Sequence, residues 1–222
     1  MKTEIIDSWE KNAQEWSRII QNHGITSRKF TNKAILDAIR SVNPSKVADF
    51  GCGEGWLTRE MSKMGMEAFG FDAIQALLDD AKRNGEGHYQ QLTFEDIISG
   101  KPIPNGTFDL GVFNFCFYLK DGLPELIENT LQAINSNGYI LIQTLHPYFL
   151  IQNELEYQGQ WISDSWKGLP GNFIEGHSWY ARTFEDWISL LASFEELSFT
   201  IKEVKNDEAQ PISLIIQIQK TQ

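Results

Sequence analysis

Cysteine, positive charge and long apolar runs are all scarce in this chain, and each scarcity removes a class of protein. Only Cys52 and Cys116 are present among 222 residues. Two thiols without metal-ligand spacing form neither a disulfide framework nor a metal cluster, so each reads as a small buried residue. Nineteen Lys and Arg against thirty Asp and Glu leave a net charge of −11. Without a basic stripe, that charge repels a phosphate backbone, which argues against a nucleic-acid partner and leaves small molecules, cationic substrates or a small protein partner. No apolar stretch approaches the ~20 residues of a membrane span. The opening Met1-Lys-Thr-Glu-Ile-Ile-Asp-Ser8 carries both signs of charge and no cleavage site, so a cytoplasmic location is expected. No repeat or low-complexity tract interrupts what reads as a single domain over 1–222.

What is present is a glycine-rich turn in a telling place. Val47-Ala-Asp-Phe-Gly-Cys-Gly-Glu-Gly-Trp56 is an apolar run that stops in three alternating glycines ahead of an amphipathic segment. It reads as a strand, a tight loop and a helix start. Glycines at 51, 53 and 55 permit backbone conformations that a Cβ forbids and let a ligand approach the main chain, so a nucleotide-like cofactor is the first suspect. Trp56 departs from the G-x-G-x-x-G dinucleotide pattern. Further on, Glu67-Ala-Phe-Gly-Phe-Asp72 reads as a second buried strand ending in a carboxylate, where such folds hold ribose hydroxyls. The alternative is an ordinary strand-to-helix turn, with Asp72 capping a helix from Ala73 to Ala81.

Along the chain, Glu4 to Gln21 places Ile5, Trp9, Trp16 and Ile19 on one helical face. Ser27 to Val42 does the same with Phe30, Ala34, Ile35, Ala38 and Ile39, so two helices precede the first strand and 1–45 reads as an N-terminal helical cover. Strand-like runs at 46–51, 67–71, 88–92, 108–115 and 138–145 then alternate with helix-like stretches at 55–65, 73–84 and 122–135. Such alternation predicts an α/β fold, a doubly wound parallel sheet with helices on both faces. The region 146–182 differs: it is rich in glycine, proline and aromatics, lacks a period, and reads as an insertion over the substrate side. Thr183 to Phe194 predicts a helix capped by Thr183, and 198–204 and 211–219 two closing strands.

Four segments together carry a family resemblance. Asp49-Phe-Gly-Cys-Gly-Glu-Gly55, Gly70-Phe-Asp72, Gly106-Thr-Phe-Asp-Leu-Gly-Val-Phe-Asn114 and Asn137-Gly-Tyr-Ile-Leu-Ile-Gln143 resemble, in order, the glycine loop, ribose acid, fourth strand and fifth strand of class I S-adenosylmethionine-dependent methyltransferases. Trp9-Glu-Lys-Asn12, Trp16, Ser27-Arg28, Gln143-Thr-Leu-His-Pro147 and Trp179-Tyr-Ala-Arg-Thr183 further resemble a compact small-molecule subgroup without an assigned substrate. The resemblance implies a Rossmann-like, mostly parallel seven-stranded sheet with an antiparallel last strand. It implies S-adenosylmethionine as cofactor, S-adenosylhomocysteine as product, and methylation of a small-molecule acceptor at oxygen or nitrogen by a monomer or homodimer.

The resemblance also assigns expectations to residues. Gly51, Cys52 and Gly53 would receive the amino-acid end of the cofactor, with Asp49 near the ammonium or else capping the following helix. Asp72 would bind the ribose diol, Ala73 and Ile74 would pack on adenine, and Glu95 or Asp96 would take its amino group. Asn114 and Phe115 would face the methionine portion, and Arg28 would pair with its carboxylate. On the acceptor side His146 is the preferred base over His177, with Tyr180 and Arg182 as further catalytic candidates, although each has a bracing alternative. No metal is expected. The rival readings are a nicotinamide-dependent oxidoreductase and a non-catalytic S-adenosylmethionine-binding regulator.

Overall fold

The computed structural model describes residues 2–195 and 197–220, with the side chains of the first two of these left aside. Helices α1 (Lys2–Gln21) and α2 (Arg28–Val42) lead into β1 (Lys46–Phe50), α3 (Trp56–Lys63), β2 (Glu67–Asp72), α4 (Gln75–Arg83) and β3 (His88–Gln91). Next come α5 (Phe94–Ile98), β4 (Phe108–Asn114), α6 (Leu123–Gln132) and β5 (Ile134–Leu145). The chain continues through α7 (Tyr148–Gln152), β6 (Gln160–Ile162), β7 (Trp179–Ala181), α8 (Phe184–Ala192), β8 (Leu197–Lys205) and β9 (Pro211–Lys220).

Seven strands form one sheet in the order β3-β2-β1-β4-β5-β9-β8, and β9 alone runs opposite to the other six. The central strands are apolar on both faces because helices cover both. Ala48, Phe50, Phe71 and Phe113 face Leu126, Ile127 and Trp187 of α6 and α8. Val47, Leu110, Val112 and Leu141 face Ile35, Ile39, Leu57 and Met61 of α2 and α3. Burial on two sides is what makes such strands read as continuous hydrophobic runs. Strand order reverses between β1 and β4, so a crevice opens at their carboxyl ends, the position where open α/β sheets take ligands.

Several boundaries differ from those read in the sequence. Helix α4 begins at Gln75, because the Asp72 side chain ties down the preceding turn. Strand β5 begins at Ile134, earlier than expected, and pairs with β4 through a register shift between Phe108 and Leu110. The region 146–182 holds helix α7 and the β6–β7 hairpin in addition to irregular chain. Thr183 caps α8 as expected, in a capping box with Asp186.

Candidate active site

The glycine loop is pinned to the neighbouring strand. Gly51 and Cys52 both donate their amides to the Phe71 carbonyl, at 2.7 and 3.0 Å. Gly51 (φ 68°) and Gly53 (φ 56°) are left-handed, and a Cβ on Gly51 would lie 2.8 Å from that of Cys116. Any side chain at Gly51 is therefore excluded both by conformation and by space. The loop can turn sharply and present main chain to a ligand.

Two buried carboxylates converge on this loop. Asp72, 8% exposed, accepts from Gly53 N at 2.8 Å and from Ile74 N at 2.9 Å. Asp49, 1% exposed, accepts from Thr58 Oγ1 at 2.7 Å. Burial raises the pKa of both, and the Asp72 charge adds to the effect on Asp49, which reaches about 7. Glu54 is a third buried acid, held by Arg59 at 2.6 Å, and its Oε1 has no hydrogen-bond partner among the described residues. Nearby, Arg28 stacks its guanidinium 4.7 Å from the Trp56 ring centroid, while its buried Nη2 lacks a partner among the described residues. Burial lowers the pKa of Arg28 to about 10, so it remains a cation. Asn114 Oδ1, at the end of β4, is likewise buried and without a partner.

The other expected cofactor contacts fall close by. Ala73 and Ile74 pack with Trp9, Ala13 and Trp16 of α1. Phe115 takes φ 55° and donates its amide to the Gln143 carbonyl, turning the chain off β4. Glu95 and Asp96 separate in role: Asp96 forms the capping box of α5 with Thr93 and an ion pair with Lys101 at 3.3 Å. That commitment lowers the Asp96 pKa, chiefly through the Thr93 amide, and gives Asp96 a helix-capping role of its own. The Thr93-x-x-Asp96 spacing is a capping-box signal present in the sequence and overlooked in that expectation.

A cover of aromatic side chains lies over the crevice. The Trp16 indole Nε1 would lie 3.6 Å from a Cβ on Gly53. Trp9 packs edge-on against Trp16 at 5.1 Å and Trp166 at 4.7 Å, and Trp166 stacks on Phe173 at 4.6 Å. This cover is latched. Asn12 donates to the Ile174 carbonyl at 2.7 Å and accepts from its amide at 2.9 Å, Ser8 donates to the Glu175 carbonyl at 2.7 Å, and Trp166 Nε1 donates to Ser8 at 2.9 Å. Asn12 belongs to the Trp9-Glu-Lys-Asn12 segment that carried the resemblance, but its tandem bonding to Ile174 had no sequence signal.

The three acceptor-side candidates take up the geometry of the bracing alternative. His146 has both ring nitrogens engaged: Nδ1 accepts from Tyr148 N at 2.9 Å, and Nε2 lies 3.0 Å from Glu203 Oε1. Its free lone pair is spent on an amide, so its geometry is that of a brace between the end of β5 and β8, not of a waiting base. Arg182 donates to the Leu119 and Lys120 carbonyls at 2.7 and 2.6 Å, packs on Tyr180 and Trp187, and keeps one buried Nη1 unpartnered among the described residues. Tyr180 donates its amide to the Tyr118 carbonyl at 2.9 Å and sets its ring against Trp161. Both therefore fasten β7 to the loop after β4.

A family model for the methyltransferase domain matches residues 8–194. The chain belongs to the methyltransferase domain family. A malonyl-[acyl-carrier protein] O-methyltransferase of Halalkalibacterium halodurans is 26% identical over 163 residues, 69% of this chain and 59% of the relative. A probable S-adenosyl-L-methionine-dependent methyltransferase TehB of Haemophilus influenzae is 28% identical over 123 residues, 52% and 43% of the two chains. The chain thus spans about half the length of these relatives. A ubiquinone biosynthesis O-methyltransferase of Actinobacillus pleuropneumoniae is 26% identical over 169 residues, 68% and 70%. Among solved structures, the DhpI-SAM-HEP complex superposes with a TM-score of 0.68 at 16% identity, covering 97% of both chains. An S-adenosylmethionine-dependent methyltransferase from Mesorhizobium loti gives 0.62 at 18%, covering 82% of this chain and 96% of that one. At these identities the likeness establishes the methyltransferase fold.

The residues at the crevice fit the cofactor of that family. S-adenosylmethionine has a carboxylate, an ammonium, a sulfonium and a ribose diol. The chain has an unpartnered Arg28 nitrogen, three buried acids and a glycine cradle in one place. Among the described residues no helix is long and apolar enough to cross a membrane.

Proposed function

We propose that the protein binds S-adenosylmethionine and transfers its methyl group to the oxygen or nitrogen of a small-molecule acceptor. The observation that carries this reading is the convergence of Asp49 and Asp72 on the glycine loop beside the unpartnered Arg28 nitrogen. That charge pattern complements a zwitterion joined to a diol. Two relatives bear names ending in O-methyltransferase, which favours oxygen as the atom methylated.

In this reading Arg28 holds the cofactor carboxylate, Asp49 its ammonium, Asp72 the ribose hydroxyls and Asn114 the methionine portion. The cofactor supplies an electrophilic methyl on sulfur when bound. The chain's own contribution is alignment and dryness: the loop positions the donor, and the Trp9, Trp16 and Trp166 cover excludes water from a line of displacement. Aromatic faces also favour a sulfonium by cation–π attraction.

Calorimetric titration with S-adenosylmethionine and, separately, NADH tests the reading. We expect binding of the first only, and formation of S-adenosylhomocysteine when a reactive phenol, amine or carboxylic acid from a panel is added. NADH binding alone would assign the loop to an oxidoreductase, and tight cofactor binding without turnover on a broad panel would favour a non-catalytic binder.

A further inference from the structure

Of the buried polar atoms that lack a partner among the described residues, those of Arg28, Glu54 and Asn114 lie in the cofactor crevice. The ring of His177 lies elsewhere, in the strap 164–178 that Asn12 and Ser8 latch to α1. It is 3% exposed. Its Nδ1 is 3.0 Å from the Ser178 carbonyl oxygen, which can only accept, so Nδ1 carries the proton and Nε2 a bare lone pair. That Nε2 is buried and has no partner among the described residues. Burying such an acceptor empty costs free energy, so a side chain held in one tautomer with its second nitrogen vacant is poised for a donor.

Its neighbours join the cofactor crevice to solvent. On one side the ring packs against Tyr118 at 4.9 Å and Trp166 at 6.0 Å. Tyr118 lies 6.2 Å from Trp9, which packs with Ala73 and Ile74 next to the ribose acid. On the other side His177 lines a groove of about 270 Å³ between α1 and the strap, with Glu4, Asp7, Lys11 and Glu175 around it. His177 and Ser8 are thus shared by the groove and the aromatic cover, and of the two His177 carries the vacant acceptor.

We propose that His177, in place of His146, takes the proton of the methyl acceptor, and that the acceptor enters by the groove between α1 and the strap. The proposal rests on the methyl-transfer reading above. The acceptor's lone pair forms the new bond to the methyl carbon as the carbon–sulfur bond breaks and its electrons pass to sulfur. The acceptor's O–H or N–H proton goes to Nε2, and His177 returns it to water in the groove.

Burial holds the His177 pKa below its ordinary value of 6.5, which keeps the ring neutral at pH 7 as a base requires. The groups facing it are Glu4, Asp7 and Lys11 of α1, Glu175 of the strap, and Tyr118 of the loop after β4. Burial drives the Tyr118 phenol well up, so it stays neutral. Lys11 is paired with Glu175 and also feels the charge of Asp7.

Nitrogen-15 NMR of the histidine-labelled protein saturated with S-adenosylhomocysteine tests this without an acceptor, the His177 signals being identified by their loss in His177→Asn. The expected spectrum has a bare Nε2 at pH 7 and a midpoint below 6.5. For any panel acceptor that the wild type methylates, His177→Asn, which can keep the donation to Ser178, and His177→Gln should each lower kcat/KM by about 10²–10⁴-fold. Cofactor affinity should be unchanged, and the fall in rate on the acid side of the wild-type pH profile should vanish. A protonated Nε2 at pH 7, or variants with wild-type rate and profile, overturns the proposal. Failure of the wild type to bind S-adenosylmethionine overturns the methyl-transfer reading instead.

Discussion

Asp49, next to last in β1, and Asp72, last in β2, share one loop, yet their chemistry is separable. Asp72 already accepts two amides, and in the proposed complex exchanges part of that bonding for the ribose diol. Asp72→Ala should weaken S-adenosylmethionine binding by about 1.5–3 kcal/mol, the range for hydrogen bonds to a charged group, as read by calorimetry. Unchanged affinity would remove Asp72 from the site. Asp49 has a pKa raised from 3.8 to about 7, so between those values it binds more protons folded than unfolded. Its contribution to stability falls as pH rises through that window and stays low above it. Asp49→Asn, which keeps an acceptor for Thr58, should therefore melt higher than the wild type above pH 7 and converge with it toward pH 4. If Asp49 meets the cofactor ammonium, binding below pH 7 should also release a proton, measurable by titration in buffers of different ionisation enthalpy. The identities of these acids were legible because each stands at the end of an apolar run. Their partners Thr58, Gly53 and Ile74 depend on how the loop turns. For His146 the sequence left base and brace open and for His177 it offered no distinguishing signal, since only tertiary hydrogen bonding separates the brace from the empty acceptor.

Among the elements, α1 and the strap 164–178 behave as one cover because side chains of the helix bond the strap's main chain. Asn12 is 1% exposed and satisfies both the donor and the acceptor of Ile174. Asn12→Ala would leave that pair of backbone groups without a partner, a loss of about 1–3 kcal/mol per unsatisfied group. Hydrogen exchange should then accelerate in 164–178 and in α1, while β1, β4 and β5 keep their protection. Uniform acceleration would mean that the cover is integral to the core. The amphipathic stripe of α1 was readable from Ile5, Trp9, Trp16 and Ile19, and the resemblance suggested that it covers the cofactor, but the strap it bonds was not readable. A helical period reports which face is buried and is silent about the partner. The capping boxes at Thr93 and Thr183 mark the opposite extreme. Each is complete within four residues, so a local spacing suffices to specify it.

At the scale of the molecule, the sheet organises both the ligand crevice and its stability. A ligand that binds only the folded chain stabilises it by about 2.7 kcal/mol at one hundred times its Kd. For a domain of this size, saturating S-adenosylmethionine should raise Tm by roughly 5–10 °C, measured by calorimetric or fluorescence melting. NADH at the same concentration should leave Tm unchanged. The sequence alone determined the layered α/β architecture, the glycine loop and the two acids. These follow from periodicity and from residues whose conformational freedom or charge is intrinsic. Tertiary structure alone decided that His146 is braced by Glu203 and that Asn12 latches the strap over the crevice. It also decided that His177 keeps a vacant nitrogen beside a groove. Those outcomes depend on which distant main-chain groups come within hydrogen-bond range, a consequence of packing between segments up to 167 residues apart that no local pattern encodes.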